Sequence, residues 1–225
     1  MAGMLAGLRH ETRDALHLAV SVRSFRAEKV SEFVGALIAG EDKSARALYQ
    51  EIKATYPIAV TRDLERAWSW LRSRARGSER FGLVASSGAY RLKPEGLNVS
   101  QDLSATHWFL NDKSDVRSSY YLEDPATEFD IQGLELDWVG VCWEADFRIV
   151  DGKWSHHKFS GSAWQNVNNE HRRTYLANAY RVLLTRARQG MIVYVPRGNP
   201  NDPTRQPIQY EATFQFLLDC GLEAT

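Results

Sequence analysis

The run Trp138-Val139-Gly140-Val141-Cys142-Trp143 gives the strongest strand signal in the chain. Three other short runs, at 57–61, 81–86 and 191–195, share its almost continuous apolar character. A continuous apolar run, unlike an alternating one, is typical of a strand buried on both faces. Such strands, separated by helices, indicate an α/β fold with a mostly parallel sheet and helices on both faces. In sheets of this kind ligands bind at the carboxyl ends of the strands, where we expect the functional residues.

Amphipathic helices are predicted between the strands. Apolar residues at three- and four-residue spacing mark 30–38, 45–52 and 64–71 as helical. A further helix is predicted over 174–187, with Gly190 as the residue that stops it.

Residues 146–170 are polar, aromatic and irregular, which predicts an insertion or a hairpin. Its aromatic residues could contact nucleic acid or protein, but large aromatics mainly supply buried area, which favours packing of the hairpin onto the sheet. A metal site is not expected, because His156 and His157 are adjacent and no ligand spacing such as HxxxH accompanies them. The aromatic residues concerned are Trp154, Phe159 and Trp164.

The bulk composition is that of a globular protein without a strong basic excess. Lys plus Arg and Asp plus Glu each number 28, so the formal net charge is zero, which argues against strong autonomous DNA binding. No apolar run reaches the ~20 residues needed to span a bilayer, so no membrane partner is expected. The two cysteines form no CxxC pair, and we expect reduced thiols in a cytoplasmic protein.

Three short segments contain residues suited to nucleotide chemistry. Val22-Arg23-Ser24 precedes a helix, and an arginine there can present a forked donor to an anion. In Gln132-Gly133-Leu134-Glu135, the glycine permits a tight turn and the carboxylate could accept hydrogen bonds from ribose hydroxyls. Taken singly, each segment is more simply explained as a solvated surface charge or an ordinary turn.

The third segment is Leu184-Thr185-Arg186-Ala187-Arg188, at the end of the helix predicted over 174–187. At 3.6 residues per turn, Arg181 and Arg188 would share one helix face and Arg186 would point elsewhere. An arginine that reaches a γ-phosphate stabilises phosphoryl transfer, whereas a solvated basic helix face is the simpler alternative.

Together, and in this order, the three segments resemble motifs IV, V and VI of superfamily 1 helicases. Residues 56–63, 82–89, 126–138 and 178–188 carry a closer resemblance, which is to the Schlafen group 3-like DNA/RNA helicase domain family. This resemblance extends from about Leu18 to Gly221. The resemblance implies that residues 18–225 form a RecA-like α/β domain of the P-loop NTPase type. This domain would be the C-terminal half of the helicase motor, and residues 1–17 would be a linker.

The resemblance also implies roles for individual residues. Arg186 would be the arginine finger and Arg23 would contact the γ-phosphate from across a cleft. Gln132, Gly133 and Glu135 would bind the nucleotide, with the carboxylate on the ribose.

At the other functional surface, the resemblance places single-stranded DNA or RNA. Thr127 would face it from a strand end, and Ser86 and Ser87 would contact its backbone. Phe129 stands where such helicases often have histidine, and it could stack on a base.

A phosphate-binding loop of the form GxxxxGK[ST] is absent from the sequence. ATP and Mg²⁺ would therefore be held only in a complete two-domain protein, whose first RecA-like domain is a partner in cis or in trans. The chain alone is expected to be inactive. Three explanations stay open: a fragment, one polypeptide of a pair, or a non-catalytic module that binds nucleic acid or protein.

Overall fold

The computed structural model describes residues 25–225. Arg23 and the predicted linker at 1–17 lie outside the described residues. Residues 25–225 include six α-helices: α1 (Phe25–Ala39), α2 (Asp42–Ile52), α3 (Leu64–Arg74), α4 (Ala105–Leu110), α5 (Glu170–Leu184) and α6 (Ile208–Asp219). Two short 3₁₀ helices lie at Tyr90–Glu95 and Ser119–Tyr121. The strands are β1 (Ile58–Thr61), β2 (Phe81–Ala85), β3 (Leu136–Cys142), β4 (Phe147–Val150), β5 (Lys153–Ser160), β6 (Ala163–Asn166), β7 (Ala187–Tyr194) and β8 (Glu223–Ala224).

Five strands form one parallel sheet in the order β2-β3-β7-β1-β8. Every residue of β1, β2 and β3 is buried, which explains their continuous apolar runs. The predicted α/β fold with a mostly parallel sheet is therefore confirmed, and the arrangement is that of a RecA-like domain.

Successive residues of each strand face opposite sides of the sheet. On one side, Val139, Val141 and Val193 belong to a core shared with helices α1, α2, α5 and α6. On the other, Cys142 and Ile192 belong to a second core that includes residues of α3. Helices thus cover both faces, and binding residues are left to the two edges where strands begin and end.

Residues 147–166 form a separate antiparallel sheet, β4-β5-β6, which we call the insertion sheet. The Trp154 ring stacks on Phe147 with centroids 4.2 Å apart, and its Nε1 donates to the Leu37 carbonyl at 2.9 Å. Trp164 Nε1 donates to the Thr204 carbonyl at 2.8 Å. Packing is confirmed for Trp154 and Trp164, which lie against α1, α6 and a loop. Phe159 instead packs on Trp164 within the insertion sheet.

The predicted helix over 174–187 was misplaced. Asn169 caps the helix by accepting from the Arg172 amide at 3.1 Å, so α5 starts four residues earlier and ends at Leu184. Arg188 therefore lies on β7, and the prediction that it shares a helix face with Arg181 is wrong.

Gly190 does not stop a helix; it lies inside β7. A Cβ at this position would sit 2.6 Å from the Pro57 carbonyl oxygen and 2.8 Å from the Trp138 ring. The glycine is needed because the neighbouring chain passes too close for any side chain.

Within residues 25–225, no helix combines the length and the apolar character that crossing a bilayer requires.

Gly190→Ala should lower the free energy of unfolding by about 1–3 kcal/mol, because overpacking against backbone forces the strands apart. Gly35→Ala is the matched control: its Cβ would meet nothing within 4 Å, and alanine favours the helix by about 0.5–1 kcal/mol. Urea denaturation of both variants measures the difference. Equal stability of the two would contradict the close approach at Gly190.

Candidate functional site

The predicted site residues lie at two opposite edges of the parallel sheet. Glu135 immediately precedes β3 and Arg186 immediately precedes β7. Leu136 pairs with Ala187, and the Leu136 amide donates to the Arg186 carbonyl at 3.0 Å. Glu135 and Arg186 are therefore neighbours at the amino edge, so the expectation that functional residues sit at the carboxyl ends is wrong for this pair.

The end of α5 positions Arg186. Thr185 Oγ1 donates to the Arg181 carbonyl at 2.8 Å, which satisfies one of the last helical carbonyls. The half-buried Arg186 side chain donates from Nε to the Val182 carbonyl at 3.2 Å. Its guanidinium is thus held against the helix end, next to the start of β7.

Gln132, Gly133 and Glu135 are exposed on the turn that leads into β3. Gly133 has φ +81°, a left-handed conformation that glycine adopts without strain. The pKa of Arg188 is raised, mainly by its ion pair with Asp137 and further by the negative charge of Glu135. The Glu135 carboxylate therefore lies near the Arg188 guanidinium.

Two residues that sequence reasoning did not single out also belong to the amino edge. Asp137 accepts from the Arg80 amide and from Arg188 Nη2, both at 2.8 Å, and so ties β2, β3 and β7 together. Burial raises the pKa of Tyr56, and the nearby charge of Arg26 opposes that shift. Arg26 thus adds positive charge close to the start of β7, where the Tyr56 hydroxyl donates to the Ala187 carbonyl at 3.1 Å.

Ser86 and Ser87 directly follow β2, at the carboxyl edge. Ser86 Oγ donates to Asp146 Oδ2 at 2.7 Å. The Ser87 amide and hydroxyl both donate to Glu128, at 2.8 and 2.7 Å. Both serine hydroxyls donate to buried carboxylates, so the serines stabilise the interior of the carboxyl edge.

Thr127 is similarly engaged, because its amide and its Oγ1 both donate to Asp130 Oδ2, at 2.8 and 2.6 Å. Phe129, by contrast, is 62% exposed. Its ring stacks on Tyr175 of α5 with centroids 6.2 Å apart and an interplanar angle of 29°. We call this pair the aromatic platform.

A cavity of about 310 Å³ opens beside the aromatic platform. The end of β2, the loop around Glu128, the insertion sheet and α5 all contribute to its wall. Its residues are Ser86, Ser87, Gly88, Tyr90, Glu128, Asp146, His157, Lys158, Phe159, Val167, Arg172, Tyr175 and Leu176.

Acidic groups are buried beneath this cavity. Burial raises the pKa of Asp146 to about 6, although Tyr180 and Ser86 donate hydrogen bonds to it. Burial raises the pKa of Glu144 to about 8, while the Ala145 amide and the Tyr210 hydroxyl oppose the shift. The composition and the strand pattern gave no sign of these carboxylates; only burial after β3 reveals them.

Metal binding finds no support in the described part of the chain, where no three His, Cys, Asp or Glu residues are grouped to hold an ion.

Glu144→Gln should flatten the dependence of stability on pH. The folded-state pKa of Glu144 lies above the unfolded value of about 4.3. At pH values between the two pKa values, Glu144 is therefore protonated in the folded protein and ionised in the unfolded chain. The free energy of unfolding should therefore fall as pH rises from about 5 to about 8.

The variant should lose less stability over that interval than the unsubstituted protein, by more than about 1 kcal/mol. Urea denaturation at pH 5 and pH 8 measures the change, and Glu65→Gln on the exposed side of α3 is the control. Parallel pH profiles for Glu144→Gln and the unsubstituted protein would contradict the raised pKa.

Comparisons with known proteins identify the family of this domain. A search of curated proteins finds no match to the chain. The family model described as "Schlafen group 3, DNA/RNA helicase domain" matches residues 1–197, which include both edges of the sheet and the segments that resemble helicase motifs. The chain therefore belongs to the Schlafen group 3 DNA/RNA helicase domain family and is a helicase-derived domain.

Proposed function

We propose that this domain is the C-terminal motor half of a superfamily 1-type, ATP-dependent DNA or RNA helicase or translocase. The nucleotide would bind at the amino edge and single-stranded nucleic acid at the carboxyl edge. One observation carries the proposal: the pairing of Leu136 with Ala187 makes Glu135 and Arg186 neighbours, while Phe129 is exposed at the opposite edge.

At the amino edge, the chemistry suits a nucleotide held between two domains. An arginine fork matches the geometry of phosphate oxygens, and Arg186 has a fixed backbone position because β7 begins beside it. Glu135 supplies an exposed carboxylate for ribose hydroxyls. The first RecA-like domain, in cis or in trans, would contribute the phosphate-binding loop and the Mg²⁺ site.

At the carboxyl edge, the aromatic platform offers exposed ring faces to a base. Lys158 and Arg172 are exposed nearby and could meet the phosphates. Because the net charge of the chain is zero, affinity would depend on this local surface and on stacking.

Strand β3 and the segment 126–136 both connect the two edges. Strand β3 spans Leu136–Cys142, so the edges are ~20 Å apart at about 3.3 Å per residue. The segment 126–136 runs from the platform side to the nucleotide side, joining Phe129 to Glu135 within one turn-rich stretch. We propose that this segment couples contacts at one edge to contacts at the other.

Arg186→Ala should lower ATP turnover by about 10³–10⁵-fold, the range known for arginine fingers, while leaving ATP affinity nearly unchanged. The assay needs the two-domain protein, or this chain mixed with the polypeptide that carries the first RecA-like domain. Turnover is measured with saturating single-stranded DNA.

Arg181→Ala is the matched control, because Arg181 is an exposed arginine of α5 whose Nη1 donates to Asn178 within the same helix. It should keep full turnover. If Arg186→Ala also keeps full turnover, the finger assignment is wrong, and a non-catalytic binding module becomes the better description.

Phe129→Ala should weaken binding of single-stranded DNA by about 5–150-fold, since base–aromatic stacking contributes about 1–3 kcal/mol per base. Ile208→Ala is the control, because Ile208 is an apolar residue of α6 that is 80% exposed. Fluorescence anisotropy with a labelled 12-mer measures both. Equal affinity of the two variants would argue against the carboxyl edge as the nucleic-acid surface.

A further inference from the structure

The wall of the cavity beside the aromatic platform includes a buried histidine that has an unpartnered ring nitrogen. His157 is 7% exposed, and its Nε2 is buried with no hydrogen-bond partner. Arg148 Nη2 lies 3.3 Å from His157 Nδ1. Because a guanidinium can only donate, Nδ1 must accept, and the proton of the neutral imidazole is placed on Nε2.

The neutral form of His157 is the relevant one at physiological pH. The pKa of His157 is lowered to about 4, mainly by burial and additionally by the positive charges of Arg148 and His156. A buried N–H donor without a partner is costly in a folded protein, so it calls for an acceptor from a ligand or from water. His157 lines a cavity that opens beside an exposed platform.

The same cavity offers carboxylate acceptors. Glu128 accepts from the Ser87 amide at Oε2, and from Ser87 Oγ and the Tyr175 hydroxyl at Oε1. A carboxylate has about four acceptor positions, so the three bonds leave one of them for a ligand N–H. Glu128 is also held rigidly, because its partners come from β2's end and from α5.

The size and the remaining wall suit one heterocyclic ring. The volume of about 310 Å³ lies at the small end of the about 300–1,000 Å³ range of ligand pockets. Phe159, Tyr90 and Tyr175 supply aromatic surface, and Val167 and Leu176 supply apolar surface. Exposed Lys158 and Arg172 lie on the cavity wall, where a phosphate on either side of the ring could meet them.

We infer that this cavity binds one unstacked keto nucleobase (thymine, uracil or guanine) of a single strand that lies across the aromatic platform. The inference rests on the proposed function and deepens it, because it adds base selectivity to a contact that would otherwise be independent of sequence. His157 Nε2 donates to a base carbonyl, and Glu128 accepts from the adjacent ring N–H.

Keto bases fit this arrangement, and amino bases do not. Thymine, uracil and guanine each present a carbonyl oxygen next to a ring N–H, which complements one donor and one acceptor. Cytosine and adenine present an amino group next to an unprotonated ring nitrogen, which would place donor against donor and acceptor against acceptor. A base removed from the stack is read on this edge.

The experiment uses the 225-residue chain and fluorescein-labelled dT12 and dC12, with binding followed by anisotropy at fixed salt concentration. We expect dT12 to bind at least about 10-fold more tightly than dC12, which is the discrimination that two hydrogen bonds to one base provide. A dT12 made with O4-methylthymidine, which lacks the C4 carbonyl and the N3–H, should bind like dC12. This comparison uses only the unsubstituted protein, so it does not depend on any variant folding.

His157→Ala should bring dT12 affinity down to that for dC12, because the donor to the carbonyl is removed. His156→Ala is the matched control; His156 is the neighbouring half-buried histidine of β5 and does not line the cavity. It should keep the preference for dT12. Urea denaturation of both variants shows whether they are folded.

The outcomes separate the two proposals. Equal affinity for dT12 and dC12 overturns the base pocket but leaves a single-strand surface standing. Absence of binding to either 12-mer overturns both the base pocket and the carboxyl edge as a single-strand surface of this chain. Free dTMP that binds as tightly as dT12 would show a nucleotide pocket without a strand, and would also overturn the inference.

Discussion

The parallel pairing of β3 with β7 is the constraint on which the candidate site depends. It fixes Leu136 opposite Ala187, so that the residues before each strand, Glu135 and Arg186, become neighbours although they are far apart in sequence. Asp137 reinforces the pairing by accepting from Arg188 on β7 and from the Arg80 amide before β2. The amino edge is thus a rigid surface that presents opposite charges at a defined spacing.

A buried sheet with helices on both faces leaves only its edges for binding. The carboxyl edge is built differently from the amino edge, because the insertion sheet covers part of it and encloses a cavity there. Its serine hydroxyls serve buried carboxylates, while Phe129 and Tyr175 present aromatic faces outward. This difference between the edges suits a domain that would bind a charged ligand at the amino edge and stack bases at the carboxyl edge.

The buried carboxylates after β3 connect the insertion to the main body. Tyr180 of α5 donates to Asp146, and Tyr210 of α6 donates to Glu144. His157 of β5 donates its amide to the Asp146 carbonyl at 2.6 Å. Polar groups at this depth are tolerated because hydroxyls and amides satisfy most of them, and they orient the insertion more specifically than apolar contacts alone would.

The sequence by itself determined the parallel α/β fold and the family, because continuous apolar runs report burial on both faces and because three ordered motifs are specific together. It also identified Glu135, Arg186 and Phe129 as residues of interest. The predicted helix boundaries were wrong where a helix cap or a close backbone contact determined the structure, as at the start of α5 and at Gly190. Only the tertiary structure decided which residues meet: strand register brought Glu135 beside Arg186, and the insertion sheet brought His157 to the end of β2. Such contacts depend on pairing between distant segments, which local periodicity cannot encode.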